Sequence, residues 1–217
     1  MTKSCLILAA SALLIAGVTG QAAAQGGFTV NPYVGVLIAD DGGLNDAFEG
    51  EGVEVSIDPA LLAGARVGFT TGSNLGFEAG YGYSPLTVDF SDSGDAFELD
   101  TKAHLFYGAV NYTFPSESQA KFFLSAGAGG IMIKADDESL FEGAENSSTN
   151  LLVNLGGGLL WSVNDRWAIR VDAKDHIEFC KAAETVDDFS ACPVDDKALN
   201  HIEVSGGVSI QLGESSM

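Results

Sequence analysis

The stretch His201–Leu212, HIEVSGGVSIQL, places the strictest condition on the fold. Ile202, Val204, Val208, Ile210 and Leu212 share one parity, and His201, Glu203, Ser205, Ser209 and Gln211 share the other. Side chains of a strand point alternately to opposite faces, so this is a strand with one apolar and one polar face. In a soluble sandwich the apolar face meets a core; in the closing strand of a membrane barrel it meets lipid.

Seven earlier segments alternate in the same way, at 28–38, 61–71, 75–90, 97–114, 121–135, 149–163 and 166–179, and helical periodicity is absent. The connections alternate between two classes. Gly72-Ser73-Asn74, Pro115 to Ala120, and Asn164-Asp165 are short. Ala39 to Ala60, Ser91 to Ala96, Asp136 to Ser148, and Cys180 to Lys197 are mostly longer and carry many of the acids. Short turns on one rim and long loops on the other are the plan of a membrane-spanning barrel, and an even strand number puts both ends of the barrel on the turn side.

Seven aromatics flank the short turns: Phe69, Phe77, Tyr112, Phe114, Phe122, Trp161 and Trp167. All fall on the apolar, outward parity, as an interfacial girdle requires. The opposite parity sends Arg66, Glu78, Asn111, Asn154, Arg170, Asp172, Lys174, His201 and Glu203 into the lumen. The turn at 72–74 sets Glu78 across from Gly68 and Arg66 across from Gly80, so Arg66 and Glu78 become diagonal neighbours. Pairing Trp161 with Trp167 sets Arg170 opposite Gly158, Asp172 opposite Gly156 and Lys174 opposite Asn154. Eight strands enclose room only for side chains or one small ligand, so these charges are expected to form a network that plugs the lumen. A gated or narrow ion path is the alternative role for the same residues.

The first residues, MTKSCLILAASALLIAGVTGQAAAQ, have one positive charge, an apolar run and Ala22-Ala23-Ala24 as a cleavage signal. They read as a secretory signal peptide over 1–24, leaving a barrel domain over 25–217. No later apolar run reaches about 18 residues, the length of a spanning helix. Without Lys3 the chain has 9 Lys and Arg against 30 Asp and Glu, a net charge of −21. That acidity argues against a nucleic-acid partner, because there is no basic surface to displace phosphate counterions.

Cys180 and Cys192 share the last long loop and are expected to form a disulfide outside the cytoplasm. Zinc is the poorer reading, since no C-x-x-C or paired-His spacing is present. The acid pairs Asp40-Asp41, Asp136-Asp137, Asp187-Asp188 and Asp195-Asp196 lack the spaced pattern of a calcium loop and read as solvated surface. His104, His176 and His201 lie at the loop ends of their strands. Ser205 shares the parity of His201 but lies four residues along the strand, too far for a Ser–His pair, and there is no G-x-S-x-G elbow. The histidines are therefore expected to join the internal network, with no catalytic site, metal or cofactor.

The strand plan resembles the OmpA-like or OmpX-like group of small eight-stranded outer-membrane barrels. The likeness is carried by Val34-Gly35-Val36, by the run Trp167 to His176 (WAIRVDAKDH), and by Glu203 to Ile210 (EVSGGVSI). It implies an all-β, up-and-down transmembrane barrel in the cell outer membrane, a monomer among lipid and lipopolysaccharide, inserted by the barrel-assembly machinery. Ser205, Gly207, Ile210 and Leu212 fit the polar-x-Gly-x-x-apolar-x-aromatic assembly signal, with Leu212 where the aromatic usually stands. The expected role is structural or surface-interactive. The alternatives are a secreted soluble barrel that binds a small ligand, a narrow channel, or a lipid-modifying enzyme.

Overall fold

The computed structural model describes residues 27–47, 53–71, 73–92, 95–135, 147–181 and 196–212. Alternation becomes strand almost wherever the sequence shows it. The strands are β1 (Gly27–Ile38), β2 (Glu54–Ile57), β3 (Ala60–Thr70), β4 (Leu75–Asp92), β5 (Asp95–Thr113), β6 (Ala120–Ala135), β7 (Ser147–Ser162), β8 (Trp167–Cys180) and β9 (Lys197–Leu212). A short helix, α1 (Gly42–Ala47), precedes β2. Both lie inside the first long connection, where sequence alone suggested only loop.

The sheet is antiparallel and closes on itself, because β1 pairs with both β3 and β9 while β4 pairs with β5. Around the ring, Phe28 pairs with Phe69, Phe69 with Phe77, Phe77 with Val110 and Val110 with Ala126. Ala126 pairs with Leu155, Leu155 with Asp175, Asp175 with Ile202, and Ile202 with Ile38. One circuit thus climbs β1 from residue 28 to residue 38, a shear of 10 for eight strands. Shear and strand number together fix a tilted, narrow cylinder.

β2 is not a ninth stave. It extends β3 along the same edge of β4, with Ile57 opposite Val88 and Ala63 opposite Tyr83. The residues between, 58–62 on one side and 84–87 on the other, differ by one, so the two segments are joined by a bulge. Pro59 stands there and has no N–H for a ladder bond, which interrupts the strand. β4 and β5 stay paired as far as Asp92 and Asp95, so the connection expected over 91–96 is a tight hairpin projecting beyond the barrel.

Parity sorts the two faces sharply: Leu61 is 65% exposed and Leu62 is 0% exposed. Val34, Val67, Val110, Leu124, Leu155, Val171 and Val204 give the outside an apolar belt. Phe28, Phe77, Tyr112, Phe114, Phe122, Trp161 and Trp167 ring its turn end, with Phe69 packed on Phe28 at 5.0 Å. A soluble barrel would turn these residues inward, so this surface is built for lipid.

The third turn corrects one expected register. Trp161 pairs with Ile169, which places Asp172 opposite Gly158, Lys174 opposite Gly156 and His176 opposite Asn154. The Asn164 side chain accepts the amides of Arg166 (2.9 Å) and Trp167 (3.0 Å), while the Val163 amide donates to the Trp167 carbonyl (2.8 Å). The side-chain-capped turn is two residues longer than the expected register implies, so each β7 residue pairs two positions further along β8. A shift of two preserves parity, so no side chain changes face.

Candidate functional site: the layered lumen

The lumen has two layers of different chemistry. The turn-side layer is built around Arg66 of β3, which is 1% exposed. Its Nη1 donates to Asp172 Oδ2 and Asn31 Oδ1, both at 3.0 Å. Its Nη2 donates to Glu203 Oε1 (2.5 Å) and Ser205 Oγ (2.8 Å), and its Nε donates to the Tyr107 hydroxyl (3.0 Å). All five guanidinium N–H groups are therefore engaged, and the plane lies 3.7 Å from the Tyr33 ring centre.

Arg170 of β8 is the second fork. It clasps Asp172 through Nε and Nη2, at 2.9 and 2.7 Å, and reaches across the lumen with Nη1 to Glu78 Oε2 (2.5 Å). Lys174 Nζ meets the other Glu78 oxygen at 3.2 Å and donates to the Tyr107 hydroxyl at 2.9 Å. Glu203 Oε2 bonds His176 Nε2 (2.9 Å), and Ser205 Oγ donates to Glu203 Oε1 (2.6 Å). Three cations, Arg66, Arg170 and Lys174, thus face three carboxylates, Glu78, Asp172 and Glu203. Two inward glycines make the packing possible. A side chain at Gly80 would run into the Tyr107 ring, and one at Gly64 into Tyr33, so both tyrosines fold flat over bare backbone.

The expected pair Arg66–Glu78 stands at 3.9 Å, as long as the Lys174–Asp172 contact and longer than the other ion pairs of the group, because each partner has closer ones from across the barrel. His201 does not meet Glu203. Its Nε2 bonds Glu178 Oε2 (2.7 Å), its Nδ1 accepts the Asp40 amide (3.1 Å), and Asn150 completes Glu178 at 2.6 Å. His104 is on the outward parity of β5, bonding the Tyr81 hydroxyl at 2.8 Å, so it does not join the interior as expected. His176 joins the interior as expected, through Glu203. Glu178, Tyr107, Tyr33 and Asn31 complete the site but were not singled out from sequence; their inward parity was the available signal. Ser205 bonds Arg66 and Glu203, so no Ser–His pair is assembled among the described residues. In the proposed assembly stretch, Gly207 faces inward opposite Arg170, Ile210 pairs with Val30 and Trp167, and Leu212 sits half exposed beside Phe28. Cys180 is buried at the end of β8, and Cys192 lies outside the described residues.

The loop-side layer is mostly apolar, with the Glu178–His201 pair and Asp40 along one side. Leu37, Leu62, Leu86, Leu105, Ile131, Ile133 and Leu152 pack into one cluster inside the barrel. Above it Val55, Val88, Leu99 and Ala135 form a second cluster between β2 and the projecting hairpin.

A family model for the outer membrane protein beta-barrel domain matches residues 10–198. Outer membrane protein Omp38 of Acinetobacter baumannii is 30% identical over 159 residues, which cover 70% of this chain and 44% of that protein. This chain therefore spans less than half of that relative's length. Neisserial surface protein A has a similar fold, with a TM-score of 0.58 at 14% identity over 85% of this chain and 97% of that one. OprG from Pseudomonas aeruginosa scores 0.52 at 12% identity over 88% and 97%. E. coli outer membrane protein W scores 0.50 at 12% identity over 87% and 100%. These low identities speak to the barrel alone. By its family match, its closed barrel and its lipid-ready exterior, this chain belongs to the outer membrane protein beta-barrel domain family and resides in the cell outer membrane.

Proposed function

We propose that the protein is a monomeric surface barrel with a structural or interactive role, holding its acidic loops at the cell surface above a plugged lumen. The observation that carries the reading is the buried three-against-three charge group around Arg66, whose members reach one another across the barrel. Paired charges that satisfy one another leave no unbalanced site to draw an ion through, and they fix how opposite walls face each other. Catalysis has no support in this arrangement.

On this reading residues 1–24 are removed as a signal peptide, and the barrel-assembly machinery reads Ser205, Gly207, Ile210 and Leu212. Cys180 and Cys192 staple the last loop, and the outer-leaflet neighbour is lipopolysaccharide. The deciding experiment is single-channel recording of the folded protein in planar bilayers. The plug predicts no current above the bare-bilayer baseline, and discrete openings abolished by Arg66→Met would recast the group as a gate.

A further inference from the structure

We propose that the contact between the His201 ring and the Asp40 backbone is an acid-operated latch: when His201 takes up a proton, the segment from Asp40 through α1 comes away from β9 while the barrel below it stays closed. Hydrogen bonding fixes the starting state of the ring. The Asp40 amide can only donate, so the Nδ1 that it meets at 3.1 Å is bare. Nε2 then carries the single ring proton and donates it to Glu178 Oε2 at 2.7 Å. A second proton has only Nδ1 to go to. There it turns the acceptor into a donor aimed at another donor, and the contact with Asp40 is lost.

The charges around the ring leave room for that proton. In the turn-side layer three cations meet three carboxylates, but Glu178 is a fourth buried carboxylate. Among the described residues its side-chain partners are His201 and the neutral Asn150, so an imidazolium at 201 supplies the counter-charge it lacks. His176 of β8 stands directly opposite, bonded through Nε2 to Glu203. Glu203 and Lys197 lie on the same face of β9, and Lys197 is paired with Asp46 of α1. From β1, β2, β4, β5 and β6 the ring is approached by uncharged residues, among them Leu37, Ile57, Leu86, Leu99 and Ile131. His176 cannot act as the latch, because its Nδ1 meets no donor among the described residues and a proton there breaks no contact.

Little else holds the segment to the wall. The pairing of β1 with β9 ends where Ile38 meets Ile202. Beyond it three polar ties reach β9: the His201 contact, the Asp40 carboxylate accepting the Asn200 amide (3.2 Å), and the ion pair of Asp46 with Lys197. The last two lie at the wet rim, where water replaces such ties at little net cost. His201 is 3% exposed, so its contact is the one water does not readily replace. The other Asp40 oxygen takes the Gly42 amide at 2.8 Å, inside the segment itself. The bonds of Asn45 to the Val55 backbone, at 2.8 and 3.0 Å, also stay within the connection and keep α1 on β2 as it swings.

The test follows the full barrel in lipid nanodiscs by NMR from about pH 8 to about pH 5, the window in which histidine changes charge and ordinary carboxylates stay ionised. Protection of the Asp40 amide against hydrogen exchange, corrected for the intrinsic rate, should fall about tenfold or more on acidification. Its midpoint should coincide with that of the His201 ring-nitrogen shifts, and the ladder amides of β8 and β9 should keep their protection. His201→Asn, and independently His201→Gln, should make Asp40 protection independent of pH in variants that keep the folded gel mobility; if neither folds, the matching midpoints in the unmodified protein decide. Asp40 protection that stays constant across the window would overturn the latch, whether or not the ring titrates. So would a fall that tracks the His176 ring, one that persists in either folded variant, or one shared by the β8 and β9 ladders.

Discussion

Replacing Arg66 by Met removes one charge from a buried group whose formal charges sum to zero, while nearly keeping the volume of the side chain. Arg66 makes five hydrogen bonds, and at about 1.5–3 kcal/mol for each one to a charged group, a simple sum would overstate the loss. Asp172 keeps Arg170, and Glu203 keeps His176 and Ser205. What remains is one carboxylate without its counter-charge, the situation in which breaking a buried pair costs about 3–5 kcal/mol. The variant should therefore unfold at clearly lower urea when the barrel is equilibrated in lipid vesicles. Glu203→Gln alone should also destabilise, by leaving a cation in excess. The pair Arg66→Met/Glu203→Gln should recover part of both losses, with a coupling of about 1–3 kcal/mol. A single-variant loss below about 1 kcal/mol, or strict additivity in the cycle, would show that these charges are solvated and act separately.

Three further expectations test the surroundings. Val171→Arg, in the lipid-facing belt, should cost about 2–4 kcal/mol in the same assay while Val171→Leu stays near neutral, and equal stability of the two would refute the lipid assignment. Gly80→Val drives a side chain into the Tyr107 ring and separates its hydroxyl from Arg66 and Lys174, a loss of about 2 kcal/mol; unchanged stability would mean that Tyr107 has room to spare. Maleimide labelling of the unreduced, denatured protein should find Cys180 and Cys192 unreactive until a reductant is added. A 12-residue closure of this kind is worth on the order of 3 kcal/mol on the chain-entropy estimate, and two free thiols before reduction would remove it.

Period-two alternation was enough to locate the barrel strands, because one face meets lipid and the other a charged lumen. The same logic hid the loop-side lumen. At Leu61-Leu62, Ile131-Met132-Ile133 and Leu151-Leu152 both faces are apolar, so the alternation that marks a lumen disappears there. The short strand β2 escaped notice because Asp58-Pro59 punctuates the run as a loop would. Parity identified Arg66, Glu78, Arg170, Asp172, Lys174 and Glu203 as inward, but not their partners. Arg170 finds Glu78 across the diameter, a contact set by barrel closure and shear rather than by neighbouring positions on a ladder. The two-residue error between β7 and β8 has a local origin, since the Asn164 side chain takes over two backbone amides that a bare two-residue turn would leave elsewhere.

The pairing of Phe28 with Leu212 bears on how the chain reaches its native state. Every other main seam of the barrel joins consecutive staves, whereas this one must bridge nearly the whole polypeptide before it yields a single ladder bond. Until it forms, β1 and β9 each present an open edge, the kind of surface on which strands of separate molecules add to one another. The entropy of so long a closure is lost ahead of the gain, which makes for slow, all-or-none assembly. Once the seam is shut the eight staves themselves have no free edge from which to peel the barrel apart, so its persistence is governed by the height of the barrier to reopening.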